Sequence, residues 1–237
     1  MSLSEISDSK RRSKTSVAMQ VPGGHKDAEK AAARIEPLVV LVRDGDARGK
    51  ANAAGALWNL LALGDAAIEA AIAAAGAVEP LVALVRDGDA QGKANAEGKA
   101  NVAGTLRSLA AGDAAIEAVV AAGAIEALMA LVRDGDAQGK ANAAGALASL
   151  ALGDAAIEAA IVSAGAIEAL VALVRDGDAK GKANAAGALL NLAAGDDAIK
   201  AAIAAAGAIE LLVALVRDGD AEGKAKAAFV LDRKSVV

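Results

Sequence analysis

Apolar residues recur at helical spacing in short runs, each bounded by glycine and aspartate. In AIEALVALVRD, Ile167, Leu170, Val171 and Val174 fall on one face of a 3.6-residue helix. The run before it, AAIEAAIVSA, follows Asp154, whose carboxylate suits the free N–H groups of a first turn. Gly165 ends that run, and a left-handed C-terminal cap favours glycine. Gly177 stops the second segment, Asp178 caps a third, AKGKANAAGALLNLAA, and Gly195 closes it. Ala and Leu are strong helix formers, and the two-residue alternation of half-buried strands is missing. The pattern predicts two short helices and one longer helix.

The same pattern returns along the chain. The tetrapeptide RDGD begins at Arg43, Arg86, Arg133, Arg175 and Arg217, at spacings of 43, 47, 42 and 42 residues. The underlying period is 42. The longest spacing contains a tandem copy, GKANAE at 92–97 followed by GKANVA at 98–103. Six residues turn a helix by about 600°, so the two copies cannot show the same face. The insert is expected to lengthen the start of that third helix or to bulge near Gly98. No single unit can bury its apolar face alone, so the units must stack.

The third helices carry a polar stripe. Positions 0, −4, −7 and −11 fall within about 60° of one another on a helix. With position 0 at Asn59, Ser108, Ser149 and Asn191, position −4 is Gly55, Gly104, Gly145 and Gly187. Position −7 is Asn52, Asn101, Asn142 and Asn184, then Lys226; position −11 is Arg48, Glu97, Gln138, Lys180 and Glu222. Leu57, Leu60 and Ala53 mark the opposite, core-facing side. An Asn amide both donates and accepts, so one Asn per step suits the backbone of an extended peptide. The candidate groove residues are therefore Asn52, Asn59, Asn101, Ser108, Asn142, Ser149, Asn184, Asn191, Arg48 and Lys180. Glycine inside a helix costs about 1 kcal/mol relative to Ala, so four of them imply close approach, by a ligand or by a neighbouring helix.

The segments AGAIEALVALVRDGD and GKANAAGALLNLA closely resemble armadillo repeats, in a style common in plants and algae. The resemblance spans roughly residues 27–231 and rests on the period, the three-helix unit, the AGAI start of the second helix and the GAL-x-N-L end of the third. It implies an all-α, right-handed α-solenoid whose third helices line a concave groove. It also implies a non-enzymatic scaffold or adaptor that binds extended segments of other proteins. In armadillo nuclear-import adaptors the late Asn works with a Trp four residues earlier. Here that Trp column is glycine throughout, and Trp58 precedes Asn59 directly, which argues against an import carrier. A self-assembling structural protein is the other alternative.

Composition narrows the chemistry. Cysteine is absent and His25 is the single histidine, so thiolate metal sites, a histidine zinc site and a Ser-His-Asp triad are not expected. No catalytic residue, cofactor or metal is predicted. A net charge of −5 and 1% aromatics argue against nucleic acid as partner. The recurring GDA-x-GK is one residue too short for a phosphate-binding loop and follows a helix. The RDGD arginines suit the last turn of the second helix and can pair with the neighbouring Asp. No uninterrupted apolar stretch is long enough to insert into a membrane, so a cytoplasmic or nuclear location is expected. Residues 1–26, with SDSKRRSKTS, are expected to be a disordered, basic, Ser-rich tail, a candidate nuclear-localisation signal or phosphorylation site, and residues 232–237 a C-terminal tail whose Ser235-Val236-Val237 fits a PDZ ligand weakly. Between them, 27–231 is expected to hold five units, the first and last incomplete. The first unit is short, with DAEKAAARIEPLV replacing the longer first helix and its Ala-Gly turn. The fifth keeps an interior-type apolar pattern at Leu211, Leu212, Val213, Leu215 and Val216. At ~25 cal/mol per Å² an uncovered face there is a drive to associate, so self-association through residues 209–231 is expected, unless the chain continues into further repeats.

Overall fold

A computed structural model describes residues 24–62, 65–87, 93–110, 123–152, 155–194 and 196–232. Among the described residues the chain forms thirteen helices and no strand. They fall into five consecutive units. The first holds α1 (Gly24–Asp44) and α2 (Ala47–Leu61). The second holds α3 (Ala66–Ala74), α4 (Val78–Asp87) and α5 (Lys93–Ala110). The third contributes α6 (Ala124–Asp134) and α7 (Ala137–Leu150). The fourth is α8 (Ala155–Ser163), α9 (Ala166–Asp176) and α10 (Ala179–Leu192), and the fifth is α11 (Asp197–Ala205), α12 (Ala208–Asp218) and α13 (Ala221–Asp232). Among these residues no single helix is long and apolar enough to cross a membrane.

The turns follow the side chains that set them. In the second, fourth and fifth units the first and second helices meet at 70–77°. The corner residue is glycine: Gly165 adopts φ +78° and ψ +34°, a left-handed conformation in which any Cβ is strained. The third helices α2, α7, α10 and α13 begin on an aspartate cap. Asp178 Oδ1 accepts the Gly181 N–H at 2.7 Å, and Asp46, Asp136 and Asp220 repeat the bond to Gly49, Gly139 and Gly223. Asp154 and Gly195 lie outside the described residues. Their neighbours' equivalents, Asp65 and Asp196, cap the first helices α3 and α11.

Ile167, Leu170, Val171 and Val174 are all buried, as the periodicity predicts. Each second helix stacks on the next, and the third helices α2, α5, α7, α10 and α13 form a continuous row, each packed against the next. The apolar core runs unbroken from Ile35 to Ala227. In α2, Ala53 and Leu57 are buried and Leu60 is half-buried against that core.

Two irregular units resolve differently. In the first, one continuous 21-residue helix replaces the bent pair, with Pro37 inside it. That helix starts at Gly24, three residues into the segment assigned to the tail; residues 1–23 and 233–237 lie outside the described residues. In the second, the duplication lengthens the start of α5. By alignment with Ala137 and Ala179, each five residues before its Asn, this helix would start at Ala96; it starts at Lys93 and runs 18 residues. No bulge forms at Gly98, which is helical and buried and abuts Ala51 of α2.

Candidate functional site

The row of third helices is pinned by its own asparagines. Asn142 Nδ2 donates to Ala100 O at 2.9 Å and Asn184 Nδ2 to Ala141 O at 2.8 Å. Asn101 Nδ2 does the same to Ala51 O at 3.2 Å. Each amide thus crosses to the backbone of the preceding third helix, one rung per unit. Asn142 is 1% and Asn184 3% exposed, so these two are spent on the stack. Lys226, next in the column, donates to Asn184 Oδ1 at 3.3 Å and pairs with Glu222 at 2.6 Å. Asn142 Oδ1 is buried without a partner among the described residues. Asn52, at the head of the column, has no preceding third helix among the described residues and is exposed.

The late column remains nearer the surface. Asn59 is exposed, and Ser108, Ser149 and Asn191 are half-buried. Ser108 Oγ and Ser149 Oγ each donate to a carbonyl four residues back, Gly104 O and Gly145 O, at 3.2 Å. Asn191 Nδ2 donates to Ala148 O at 2.7 Å, which leaves its Oδ1 as the acceptor. Arg48 and Lys180 are exposed at the opposite end of the stripe and have no ion-pair partner among the described residues. The Glu97 side chain lies outside them.

The glycine column is covered, at Gly55 by the candidate Asn101 and at the other three by residues that were not among the sequence candidates. A Cβ at Gly104 would lie 2.6 Å from Trp58 Cε2, because the indole of the preceding unit rests on that glycine. Arg107 repeats the arrangement one unit on, with Cδ, Nε and Cζ each 2.9 Å from a Cβ placed at Gly145. Lys226 lies against Gly187, and the Asn101 amide against Gly55. The close approach implied by the glycines is therefore made by neighbouring third helices. Trp58 and Arg107 occupy equivalent positions, three residues after the glycines of their own helices. That register was visible in the sequence; which unit's glycine each would reach was not.

On the other edge, the RDGD turns carry local ion pairs. Arg43 pairs with Asp44, Arg175 with Asp176 and Arg217 with Asp218, at 2.8–3.0 Å. The hydrogen bond from Arg175 holds the Asp176 carboxyl below its ordinary value, and Arg217 does the same for Asp218. Arg133 instead donates to Ala164 O at 2.7 Å, satisfying the end of α8 in the next unit. Successive turns enclose open niches. One of about 390 Å³ lies between Arg175 and Lys182 on one side and Asp218 on the other. One of about 280 Å³ lies between Arg133 and Lys140 and Asp176. Among the described residues no three His, Asp or Glu side chains converge as metal ligands would.

Comparison with known proteins agrees with this architecture. The armadillo/beta-catenin-like repeat model matches residues 112–152 and 156–194. None of the curated proteins matches the chain. A crystal structure of an engineered protein is 37% identical with a TM-score of 0.75, over 84% of this chain and 78% of that one. A crystal structure of computationally designed armadillo repeat proteins for modular peptide recognition is 30% identical with a TM-score of 0.76, over 89% and 87%. A designed armadillo repeat protein in complex with peptide (KR)4 is 26% identical with a TM-score of 0.76, over 91% and 87%. With its 42-residue unit, glycine corners and continuous row of third helices, the chain belongs to the armadillo-repeat family.

Proposed function

We propose that the protein is a binding scaffold whose row of third helices receives an extended segment of another protein. The observation that carries this is the division of labour among the polar columns. Buried Asn142 and Asn184 fix the spacing of the helices, while Asn59, Ser108, Ser149, Asn191, Arg48 and Lys180 stay at the surface of that row. A rigid row with one polar residue per step suits main-chain recognition, because an extended peptide offers donors and acceptors at regular intervals. The designed armadillo protein that holds (KR)4 supports the same use of the fold. Asn52 and Asn101, partly exposed at the first two steps, belong to the same surface.

The test is fluorescence anisotropy with labelled peptides of about eight to ten residues, long enough to cross several repeats. Binding that weakens when Asn59, Ser149 and Asn191 are all changed to Ala, with the helical circular dichroism unchanged, supports the scaffold reading. Identical affinity of that variant for every peptide bound by the wild type overturns it.

A second reading, self-association through residues 209–231, is favoured by exposed apolar side chains there: Phe229 is 65% and Val213 51% exposed. Phe229 stands where the other four units have glycine, so a partner on that face cannot copy the internal stacking. Sedimentation of the wild type against Phe229→Glu distinguishes it from a monomer.

A further inference from the structure

The charges are not spread evenly. The chain as a whole is net −5. Yet the third helices α2, α5, α7, α10 and α13 carry two, three, one, two and two Lys or Arg, ten in all, against three acidic residues, Glu97, Glu222 and Asp232. The other glutamates of the repeats sit elsewhere. Glu69, Glu79, Glu126, Glu158, Glu168 and Glu210 all lie on first or second helices. The aspartates that open the third helices are bonded to backbone N–H groups. Lys140 and Lys182 lie on the other edge, in the niches of the RDGD turns, but the polar stripe itself carries Arg48, Lys180 and Lys226, with Arg107 beside it, against Glu97 and Glu222, and is a positive strip on a negative protein.

Arg107 is the built part of that strip. Its guanidinium lies flat on Gly145, half-buried, and no carboxylate pairs with it among the described residues. Glycine is what makes the seat: any Cβ at 145 would fall 2.9 Å from Nε and Cζ. A guanidinium held this way has already lost much of its rotamer freedom, and its fork of donors matches a carboxylate. Trp58, seated on Gly104 one unit earlier, offers an apolar wall beside it. Lys226, which covers Gly187 from the following unit, is already neutralised by Glu222. Exposed Arg48 and Lys180 add unpaired positive charge at the margin.

Resting on the scaffold reading above, we propose that the groove takes an acidic peptide, and that Arg107 binds one of its carboxylates. This is the opposite charge preference to that of the designed relative in complex with (KR)4. The basic segment SDSKRRSKTS of this chain carries the same sign as the strip and is not its complementary occupant.

The experiment compares three labelled peptides of equal length: a Glu/Asp-rich peptide, (KR)4, and a neutral Ser/Asn peptide. The acidic peptide is expected to bind about tenfold or more tighter than the neutral one at low salt, with the advantage shrinking as salt rises. Arg107→Gln is expected to remove most of that advantage, and Arg107→Lys to retain part of it. Lys180→Glu, a change at an exposed site that leaves folding intact, is expected to weaken only the acidic peptide. Equal binding of acidic and neutral peptides, or preference for (KR)4, overturns the acidic inference and leaves the scaffold reading standing. Failure of all three peptides to bind overturns both.

Discussion

The fourth and fifth units carry nearly the same second helix, AIEALVALVRD against AIELLVALVRD, yet they bury different amounts of it. Ile167, Val171 and Val174 are buried in α9, whereas their equivalents Ile209, Val213 and Val216 in α12 are half-buried or exposed. The third helices differ in the same way. Asn184 and Gly187 of α10 are buried, and Lys226 and Phe229 at the matching positions of α13 are not. In a solenoid, burial of a residue is a property of its neighbours, because each unit supplies half of the next unit's core. The interior unit can therefore use a small buried amide and a bare glycine, while the outer one tolerates a long cation and an aromatic ring.

Exchanging the two environments tests this most severely. Gly187→Phe should force α10 and α13 apart, costing about 1–3 kcal/mol or more by overpacking. Phe229→Gly should cost only about 1 kcal/mol, the intrinsic penalty of glycine in a helix. Urea denaturation of both variants reads the difference; equal losses would contradict the comparison.

The asparagine column gives the next effect. Asn184→Ala removes a buried bond to Ala141 O and the acceptor of Lys226, and should cost about 1–3 kcal/mol. Asn52→Ala, at an exposed site, should stay within about 0.5 kcal/mol. If the two match, the buried column does not hold the stack.

Trp58 and Gly104 form a third contrast, between a filled and an emptied seat. Gly104→Ala should displace the indole, which the fluorescence of this single tryptophan reports. In a Trp58→Ala background the same change should instead stabilise the helix by up to about 1 kcal/mol. The same sign in both backgrounds would show that the contact is not strained.

Deleting residues 92–97 should leave the melting temperature unchanged or raise it, since Asn101, Gly104 and Leu106 keep their register with the neighbouring units. The smallest effect belongs to the RDGD pairs. Asp176 and Asp218 titrate below the ordinary carboxylate value when folded, so any stabilisation is present above that value and is lost as pH falls through the depressed one. Both pairs are exposed, so Asp176→Asn should leave the melting temperature at pH 7 unchanged, with or without 1 M salt.

The repeat, the three-helix unit, the aspartate caps and the glycine corner at Gly165 were all legible in the sequence. Each depends on residues a few positions apart, and local chemistry decides them. The lengthened α5 was legible to the same degree, as one of two expected outcomes of the duplication. The polar side of the third helices was legible as a stripe. Its columns were identified, but the buried and exposed members of one column share the same residue type. Asn52 and Asn184 look alike in sequence and differ only in whether another helix precedes them.

By itself, then, the sequence determined the helices, their period and the side of each that is apolar, because these follow from spacing along one chain. Tertiary structure decided what the polar side does. Contact between consecutive units sets whether an asparagine meets a backbone carbonyl or solvent, and which glycine a Trp58 or an Arg107 comes to rest on. Those partners lie on other helices, and the angle and offset between stacked helices select them.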